Sequence, residues 1–310
     1  MNTSKQVAFL DLVKKFIQIA EQEKLPIEAI LLSTVDEVLI EHHFIENKKR
    51  NIYSHSKSFV SAMVGIALLE KKITLNDKII NYLKDILNES EREKLSKIRI
   101  EDLLTMRSGF GEPILMMGDR EKALIPDFTR YMMSFPIKYQ PGTHFCYSNG
   151  DTYILARVLE GVYGVDFYSL INEKLFKLLD IQSPEWECDK SGHCFGASGL
   201  VLDIKDMNKL ARLFLNDGVW NNKQIIDPDY IKECRKIKVN LPDNSWFGYG
   251  YTYQFWKVRY YDSYRADGAF GQITYILDDI GLALSIQCPE NGNLNLVLDK
   301  IRDLIFEKAE

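Results

Sequence analysis

Apolar positions along the chain follow helical spacing at both ends and strand-like runs just inside them. Between Val7 and Ala20 the spacing predicts an amphipathic helix packed on a core. The next two runs, 29–34 and 37–41, are rich in branched apolar residues and are separated by Val35 and Asp36, which predicts a β-hairpin. From Ser54 to about Lys71 the chain carries few charges, which predicts a buried helix.

Strand patterns return only after a long, mostly helical middle, about 76–180. They occur at 246–256, 272–277 and 282–286, and an amphipathic helix pattern ends the chain at 294–305. Because strands lie at both ends, we expect them to share one sheet, with the middle forming a helical lobe and the site in the cleft between them. We predict one domain over 1–310, with a sheet lobe of about 1–70 and 240–310 and a helical lobe of about 71–239.

Composition limits the classes of partner. With 46% hydrophobic and 27% charged residues, a net charge of −5 and a pI near 5.7, the chain gives no reason to expect nucleic acid or a membrane as partner. Charges at Asp11, Lys14 and Lys15 interrupt any signal-peptide core, so we expect a cytoplasmic protein. The five cysteines include no CxxC pair and predict free buried thiols. Cys188, His193 and Cys194 fit no metal-ligand spacing, and we predict no metal or cofactor.

A serine precedes a lysine by one helical turn in the segment Tyr53–Ser58. On a helix, Ser54 and Lys57 lie on the same face, about 5–6 Å apart at Cβ. A serine hydroxyl needs a base to become a nucleophile. A lysine packed among apolar neighbours loses solvation, which lowers its pKa. The pair therefore indicates a serine–lysine acyl-transfer centre. The alternative is a serine N-cap followed by a solvated lysine.

A second segment, Pro141–Gly150, follows a Pro-Gly turn. If it is extended, Tyr147 and Asn149 point to the same side. A tyrosinate near a lysine ammonium is a competent base for a serine, and the Asn149 amide would hold Lys57 or a substrate carbonyl. The alternative is a turn with a half-buried tyrosine and a locally capping asparagine.

The third segment, Arg265–Gln272, places Gly268 beside a strand pattern, where glycine often allows close approach to the backbone. A backbone N–H here, with that of Ser54, would form an oxyanion hole. The alternative is a bulge or turn. The neighbouring aromatic residues could line an acyl pocket or fill the core: Trp246, Phe247, Tyr249, Tyr251, Tyr253, Phe255 and Trp256.

Together these segments resemble the penicillin-recognising serine hydrolases: class C β-lactamases, DD-peptidases, related esterases and 6-aminohexanoate-dimer hydrolases. That family carries Ser-x-x-Lys, Tyr-x-Asn and Lys/His-x-Gly motifs in this order, and the first two each occur once in this chain. Residues 103–109, 141–149, 199–200 and 206–210 are similar to further landmarks, so the resemblance covers roughly 25–290. It implies a β-lactamase-like α+β fold, with an antiparallel sheet flanked by N- and C-terminal helices, a mostly helical lobe and the active site in the cleft.

The resemblance also implies roles for individual residues. Ser54 is the nucleophile of an acyl-enzyme, Lys57 and Tyr147 handle the proton, and Asn149 orients the site. The backbone amides of Ser54 and Ala269 form the oxyanion hole. Which of Lys57 and Tyr147 is the first base is left open, since their titrations would be coupled.

One feature departs from the family pattern, because the third motif reads Ala266-Asp267-Gly268 and lacks the cationic first residue. In β-lactamases and DD-peptidases this cation helps to bind the substrate's carboxylate, and Asp267 would repel an anion unless Arg265 or another cation neutralises it. We therefore predict an intracellular esterase, amidase or small-peptide hydrolase rather than an efficient β-lactamase. The substrate would be a small-molecule ester, amide or peptide. The alternative is a β-lactamase-fold binding or sensor module that is catalytically silent or acylated only once.

Overall fold

A computed structural model gives the structure of the chain and describes residues 3–122, 125, 127–242 and 248–309. The strands in these ranges are β1 (Ala29–Ser33), β2 (Val38–His43), β3 (Arg50–Asn51), β4 (Glu185–Trp186), β5 (Leu200–Leu202), β6 (Val219–Trp220), β7 (Lys223–Gln224), β8 (Val239–Asn240), β9 (Gly250–Tyr251), β10 (Trp256–Lys257), β11 (Tyr264–Gly268), β12 (Gln272–Leu277) and β13 (Leu282–Gln287).

The α-helices in the same ranges are α1 (Thr3–Gln22), α2 (Ser56–Leu69), α3 (Glu89–Leu95), α4 (Ile100–Leu104), α5 (Met117–Lys122), α6 (Phe128–Met133), α7 (Asn149–Tyr163), α8 (Phe167–Ile171), α9 (Ile204–Leu215), α10 (Pro228–Cys234), α11 (Leu294–Ile301) and α12 (Glu307–Ala309). A π-helical segment, Arg302–Phe306, joins the last two.

An eight-stranded antiparallel sheet organises the fold, in the order β2-β1-β13-β12-β11-β10-β9-β8. Its strands come from both ends of the chain, so the predicted shared sheet is confirmed. The hairpin of β1 and β2 is also confirmed. Two smaller antiparallel sheets, β3-β5-β4 and β6-β7, lie outside it. The numerical lobe boundaries stay a prediction.

Helices from the two termini cover one face of the main sheet. Phe9, Val13 and Phe16 of α1 are at most 1% exposed and form one cluster with apolar residues of β12, β13 and α11. The N-terminal segment is therefore an amphipathic helix of the folded domain, as its spacing predicts. Across the described residues, no helix has both the length and the apolar character needed to cross a membrane.

The opposite face carries the helices that hold the site. Helix α9 packs there through Asn208, which accepts from Ser33 Oγ at 2.7 Å and donates to Ser285 Oγ at 3.1 Å. Helix α2 is buried from Ser56 to Ala67, as its lack of charge predicts. The structure thus has the α+β, β-lactamase-like arrangement that the resemblance implies.

The predicted strand over 246–256 differs from the structure. Trp246 and Phe247 lie outside the described residues, and the remainder forms two short strands, β9 and β10, around a turn. In that turn, Gln254 has φ of +69° and its amide donates to the carbonyl oxygens of Leu103 and Leu104. Contacts with a distant helix therefore break a run whose aromatic content alone favours a strand.

Candidate active site

Ser54 and Lys57 lie where a 3₁₀ turn, Tyr53–His55, leads into α2. The turn begins with a left-handed residue, Tyr53 at φ +48°, whose backbone N–H donates to Asn51 Oδ1 at 2.8 Å. Ser54 is half-buried, whereas the Lys57 side chain is carried inward on the helix and is only 1% exposed. The alternative of a solvated helix lysine is therefore excluded.

The Lys57 ammonium group donates to three acceptors. They are Ser54 Oγ at 3.1 Å, Asn149 Oδ1 at 2.6 Å and the backbone oxygen of Ala197 at 2.9 Å. Three donors meet three acceptors, which offsets the cost of burying the charge and fixes the direction of the side chain. No pattern in the sequence points to Ala197, because a backbone carbonyl contributes nothing to a pattern of side chains.

Tyr147 lies close to both Lys57 and Ser54. The Lys57 Nζ atom is 4.9 Å from the centre of the Tyr147 ring, and the Tyr147 hydroxyl is hydrogen-bonded with Ser54. Burial raises the pKa of Tyr147 far above its usual value, more than the Ser54 hydrogen bond lowers it, and the charge of Asp267 raises it further. The phenol is therefore protonated at neutral pH, so a tyrosinate is not the resting form of this group.

Asn149 begins α7, after Ser148 caps the helix by accepting from the Gly150 N–H at 3.2 Å. The Asn149 side chain is held at both ends. Its Nδ2 donates to the Leu115 carbonyl at 2.9 Å, and its Oδ1 accepts from Lys57. Of the two predicted uses of this amide, the structure shows contact with the lysine.

The third motif reaches the site on β11, where a glycine permits an unusually close approach. A Cβ at Gly268 would lie 2.0 Å from the Ile52 carbonyl oxygen and 3.1 Å from Tyr53 Cβ. The strand therefore lies directly against the residues that precede Ser54, and Ala269 follows in the 3₁₀ turn Ala269–Gly271. The structure brings the two segments of the predicted oxyanion hole together; its function stays a prediction.

Asp267 is not a free acidic group. It is 6% exposed, accepts from Arg265 Nε at 2.7 Å and from Trp256 Nε1 at 3.1 Å. Arg265 and Asp267 lie two residues apart on one strand, so they share a face. The Arg265 guanidinium therefore largely neutralises the Asp267 carboxylate beside the site. Neutralisation by Arg265 is the condition under which, from the sequence, Asp267 would not repel an anion.

Three aromatic side chains, those of Tyr147, Tyr251 and Trp256, pack together to form a wall of the candidate active site beside Ser54. Trp256 stacks on Tyr147 with ring centres 5.2 Å apart, and Tyr251 meets Tyr147 edge-on at 6.1 Å. Tyr251 and Trp256 are themselves buried, in a small cluster with Met106. Tyr253 and Phe255 belong instead to the main core. The aromatic run is thus divided between the wall and the core.

Other sequence candidates lie elsewhere. Within the described ranges, no group of three or more His, Cys, Asp and Glu side chains is arranged to hold a metal ion. All five cysteines are free thiols, but Cys188 is exposed and Cys146 half-buried, which corrects the expectation that all are buried. His55 is 1% exposed, and burial lowers its pKa to about 4, so it is a neutral interior residue.

Comparison with curated proteins finds a relative that matches part of this chain. A curated protein, the probable fimbrial assembly protein FimD, serogroup H1, of Dichelobacter nodosus, is 30% identical over 137 residues, which is 43% of this chain and 34% of that protein. This chain thus matches about a third of that relative's length.

Solved structures match over most of the chain. A putative 6-aminohexanoate-dimer hydrolase from Bacillus anthracis has a TM-score of 0.73 at 18% identity, covering 93% of this chain and 80% of its own. The hydrolase EstCE1, described as having promiscuous acyltransferase activity, has a TM-score of 0.75 at 15% identity, covering 98% and 100%. At sequence identities this low, these matches show that the fold is shared. The beta-lactamase family model matches residues 46–299, which include all three motifs. The chain therefore belongs to the beta-lactamase family.

Proposed function

We propose that this protein is a serine hydrolase that forms an acyl-enzyme on Ser54 and acts on esters or amides without a carboxylate next to the reacting carbonyl. The observation that carries this proposal is the buried Lys57 ammonium, which is 3.1 Å from Ser54 Oγ and is held by Asn149 and Ala197. A pure binding module has no need for a desolvated lysine beside a serine. The predicted cytoplasmic location stays a prediction.

The proposed reaction has two steps. Because the Tyr147 phenol is protonated, the base is Lys57 as its neutral amine, which forms when the ammonium group loses a proton to solvent. Ser54 Oγ attacks the carbonyl carbon, and its proton passes to Lys57 Nζ of the Lys57–Tyr147 pair. The negative oxygen of the tetrahedral intermediate is stabilised by the backbone N–H groups of Ser54 and Ala269. The pair returns the proton to the leaving alcohol or amine, and an ester remains on Ser54. Water then attacks this ester by the same route, which releases the acid and restores the serine.

The neutral pair of Arg265 and Asp267 supports the proposed substrate class. The position that would carry a cation is occupied by Ala266, and the neighbouring Arg265 is paired with Asp267, to which its Nε donates at 2.7 Å. Freeing Arg265 would leave Asp267 as an uncompensated buried charge, which is costly. Two structural neighbours, a putative 6-aminohexanoate-dimer hydrolase and EstCE1, a hydrolase with promiscuous acyltransferase activity, agree with acyl transfer from amides or esters.

A matched pair of aryl esters tests this function. One carries an uncharged acyl group, and the other carries the same group with a carboxylate near the carbonyl. We expect the wild-type protein to hydrolyse the uncharged ester with the higher kcat/KM, and Ser54→Ala to lose hydrolysis by about 10⁴-fold or more.

Ser56→Ala is the matched control. Ser56 is a buried serine two residues after Ser54, and its hydroxyl has no hydrogen-bond partner among the described residues. Removing this hydroxyl should therefore leave the rate of ester hydrolysis unchanged. Equal activity of Ser54→Ala and wild type would contradict the proposal. A preference for the carboxylate ester, or efficient hydrolysis of penicillins, would contradict the substrate class.

A further inference from the structure

Two cysteines face each other across a hairpin that the proposed chemistry does not use. Cys188 and Cys194 are directly paired in antiparallel geometry. The flanking residues make the backbone hydrogen bonds: Asp189 N–H donates to the His193 oxygen at 2.9 Å, and Phe195 N–H donates to the Glu187 oxygen at 2.8 Å. The two cysteines therefore occupy a non-hydrogen-bonded pair, in which Cα atoms lie about 4.5 Å apart, within the range that disulfides span.

The side chains point at each other, with the two Sγ atoms 3.1 Å apart. The hairpin holds this register without help from the thiols. Asp189 is buried; its Oδ1 accepts from the backbone N–H groups of Ser191 at 2.9 Å and His193 at 3.0 Å, and its Oδ2 accepts from Tyr153 Oη at 3.1 Å. The pair is therefore preorganised, so bond formation requires little rearrangement of the backbone.

The two thiols are chemically unequal. Cys188 is exposed, and its hydrogen bond with Cys194 lowers the Cys188 pKa. Cys194 is 2% exposed, and the same hydrogen bond together with burial raises its pKa. An exposed thiol with a lowered pKa beside a buried thiol is the arrangement in which one cysteine reacts with an oxidant and the other resolves the product.

The hairpin runs directly into the candidate active site. Three residues after Cys194 comes Ala197, whose carbonyl accepts from Lys57 at 2.9 Å. The intervening segment is tightly turned, with Gly196 at φ +69° and the Ala197 N–H donating to the Phe195 oxygen at 2.7 Å. A cross-link at 188–194 would therefore restrain the turned segment that carries the Ala197 carbonyl, an acceptor of Lys57.

We propose that Cys188 and Cys194 form a reversible intramolecular disulfide, which closes the 187–195 hairpin and thereby steadies the Ala197 carbonyl. The oxidant is a small-molecule disulfide such as oxidised glutathione. The Cys188 thiolate attacks one of its sulfurs and releases one glutathione thiolate, which is then protonated. Cys194 loses its proton and attacks the Cys188 sulfur of the mixed disulfide, which releases the second glutathione. Two electrons pass from the protein to the oxidant, and one disulfide replaces another. The link to Lys57 rests on the proposed function, whereas the disulfide does not.

Intact mass after equilibration in a series of reduced-to-oxidised glutathione ratios tests the disulfide, with unreacted thiols trapped by a maleimide. In oxidising mixtures we expect wild type to lose two hydrogen atoms and two maleimide labels, peptide mapping to join Cys188 to Cys194, and excess reduced glutathione to reverse the change. Cys188→Ser should lack it, and Cys146→Ser, which alters a different accessible thiol, should retain it. A persistent single glutathione adduct, or no change at any ratio, would overturn the proposal.

Amide hydrogen exchange of 195–199 tests the effect on the active site. Exchange should be slower in oxidised than in reduced wild type and insensitive to glutathione in Cys188→Ser. A disulfide that forms but leaves this exchange unchanged would overturn the link to Ala197 while leaving the proposed hydrolase untouched. Loss of ester hydrolysis in every redox state would contradict the hydrolase and not the disulfide.

Discussion

At the scale of single residues, the site depends on how the Lys57 ammonium is oriented. The ammonium group donates to Asn149 Oδ1 at 2.6 Å and to the Ala197 carbonyl oxygen at 2.9 Å, in addition to Ser54. Asn149 is itself fixed, because its Nδ2 donates to the Leu115 carbonyl. A side chain held in this way acts through the lysine and does not need to touch substrate, which makes Asn149 a positioning residue.

Replacing this amide should misplace the lysine. We expect Asn149→Ala to lower kcat of ester hydrolysis by about 100-fold with a smaller change in KM, since a misplacement of about 1 Å costs a factor of this size. Steady-state kinetics with the uncharged aryl ester measure this, and Asn88→Ala, which removes an exposed cap of α3, serves as the control. An unchanged kcat in folded Asn149→Ala would contradict the assigned role.

The residue motifs were predictable because they are local. Ser54 and Lys57 are related by one helical turn, and Tyr147 and Asn149 by one extended segment, so sequence spacing determines their geometry. The interior position of His55 was not predictable from its neighbours, because its burial arises from chain segments that are distant in sequence. The Trp256–Asp267 hydrogen bond likewise depends on the pairing of β10 with β11.

At the scale of elements, the site is formed where β11 lies against the 3₁₀ turn that precedes α2. Gly268 is the point of contact, with no space for a side chain between β11 and the Ile52 carbonyl. The predicted strands at 272–277 and 282–286 match β12 and β13 closely, since both runs are mostly apolar or β-branched and are separated by turn residues at Asp278 and Asp279. The break between β9 and β10 depends on hydrogen bonds to α4 and was not predictable from local pattern.

A methyl group at this contact should separate the two elements. We expect Gly268→Ala to destabilise the protein by about 1–3 kcal/mol and to lower kcat/KM strongly, because Ala269 would move away from Ser54. Denaturant unfolding and ester hydrolysis measure the two effects. Gly118→Ala is the matched control: nothing lies within 4 Å of the added Cβ, so neither quantity should fall. Full activity in Gly268→Ala would show that this close contact does not position the site.

At the scale of the whole molecule, one sheet gathers strands from both ends of the chain, and helices α2 and α7 carry Lys57 and Asn149. This organisation was predictable, since strand patterns at the termini and helical patterns between them leave few other arrangements. The interior also contains a titratable group, Asp151 on α7. Burial raises the pKa of Asp151 to about 7, and this effect is larger than that of the hydrogen bonds with Ser108, which lower the pKa.

The stability of the molecule should therefore depend on pH through Asp151. The pKa of Asp151 is about 7 in the folded protein, against an ordinary value of 3.8 for this side chain. Between these values the folded state binds more protons than the unfolded state, so its contribution to stability is present below about pH 4 and is lost as the pH rises to about 7. Asp151→Asn should lack this part of the slope. The free energy of unfolding of both proteins from pH 4 to 8 checks this, and parallel profiles would contradict it.

The acyl-enzyme on Ser54 is the central claim, and trapping it during turnover tests it most directly. The protein is mixed with an aryl ester that has an uncharged acyl group, quenched in acid within the first turnovers, and its intact mass and peptides are measured. We predict one acyl group on the peptide that contains Ser54, present in wild type and Ser56→Ala and absent in Ser54→Ala. An acyl group on another residue, or hydrolysis that continues in Ser54→Ala, would contradict the account.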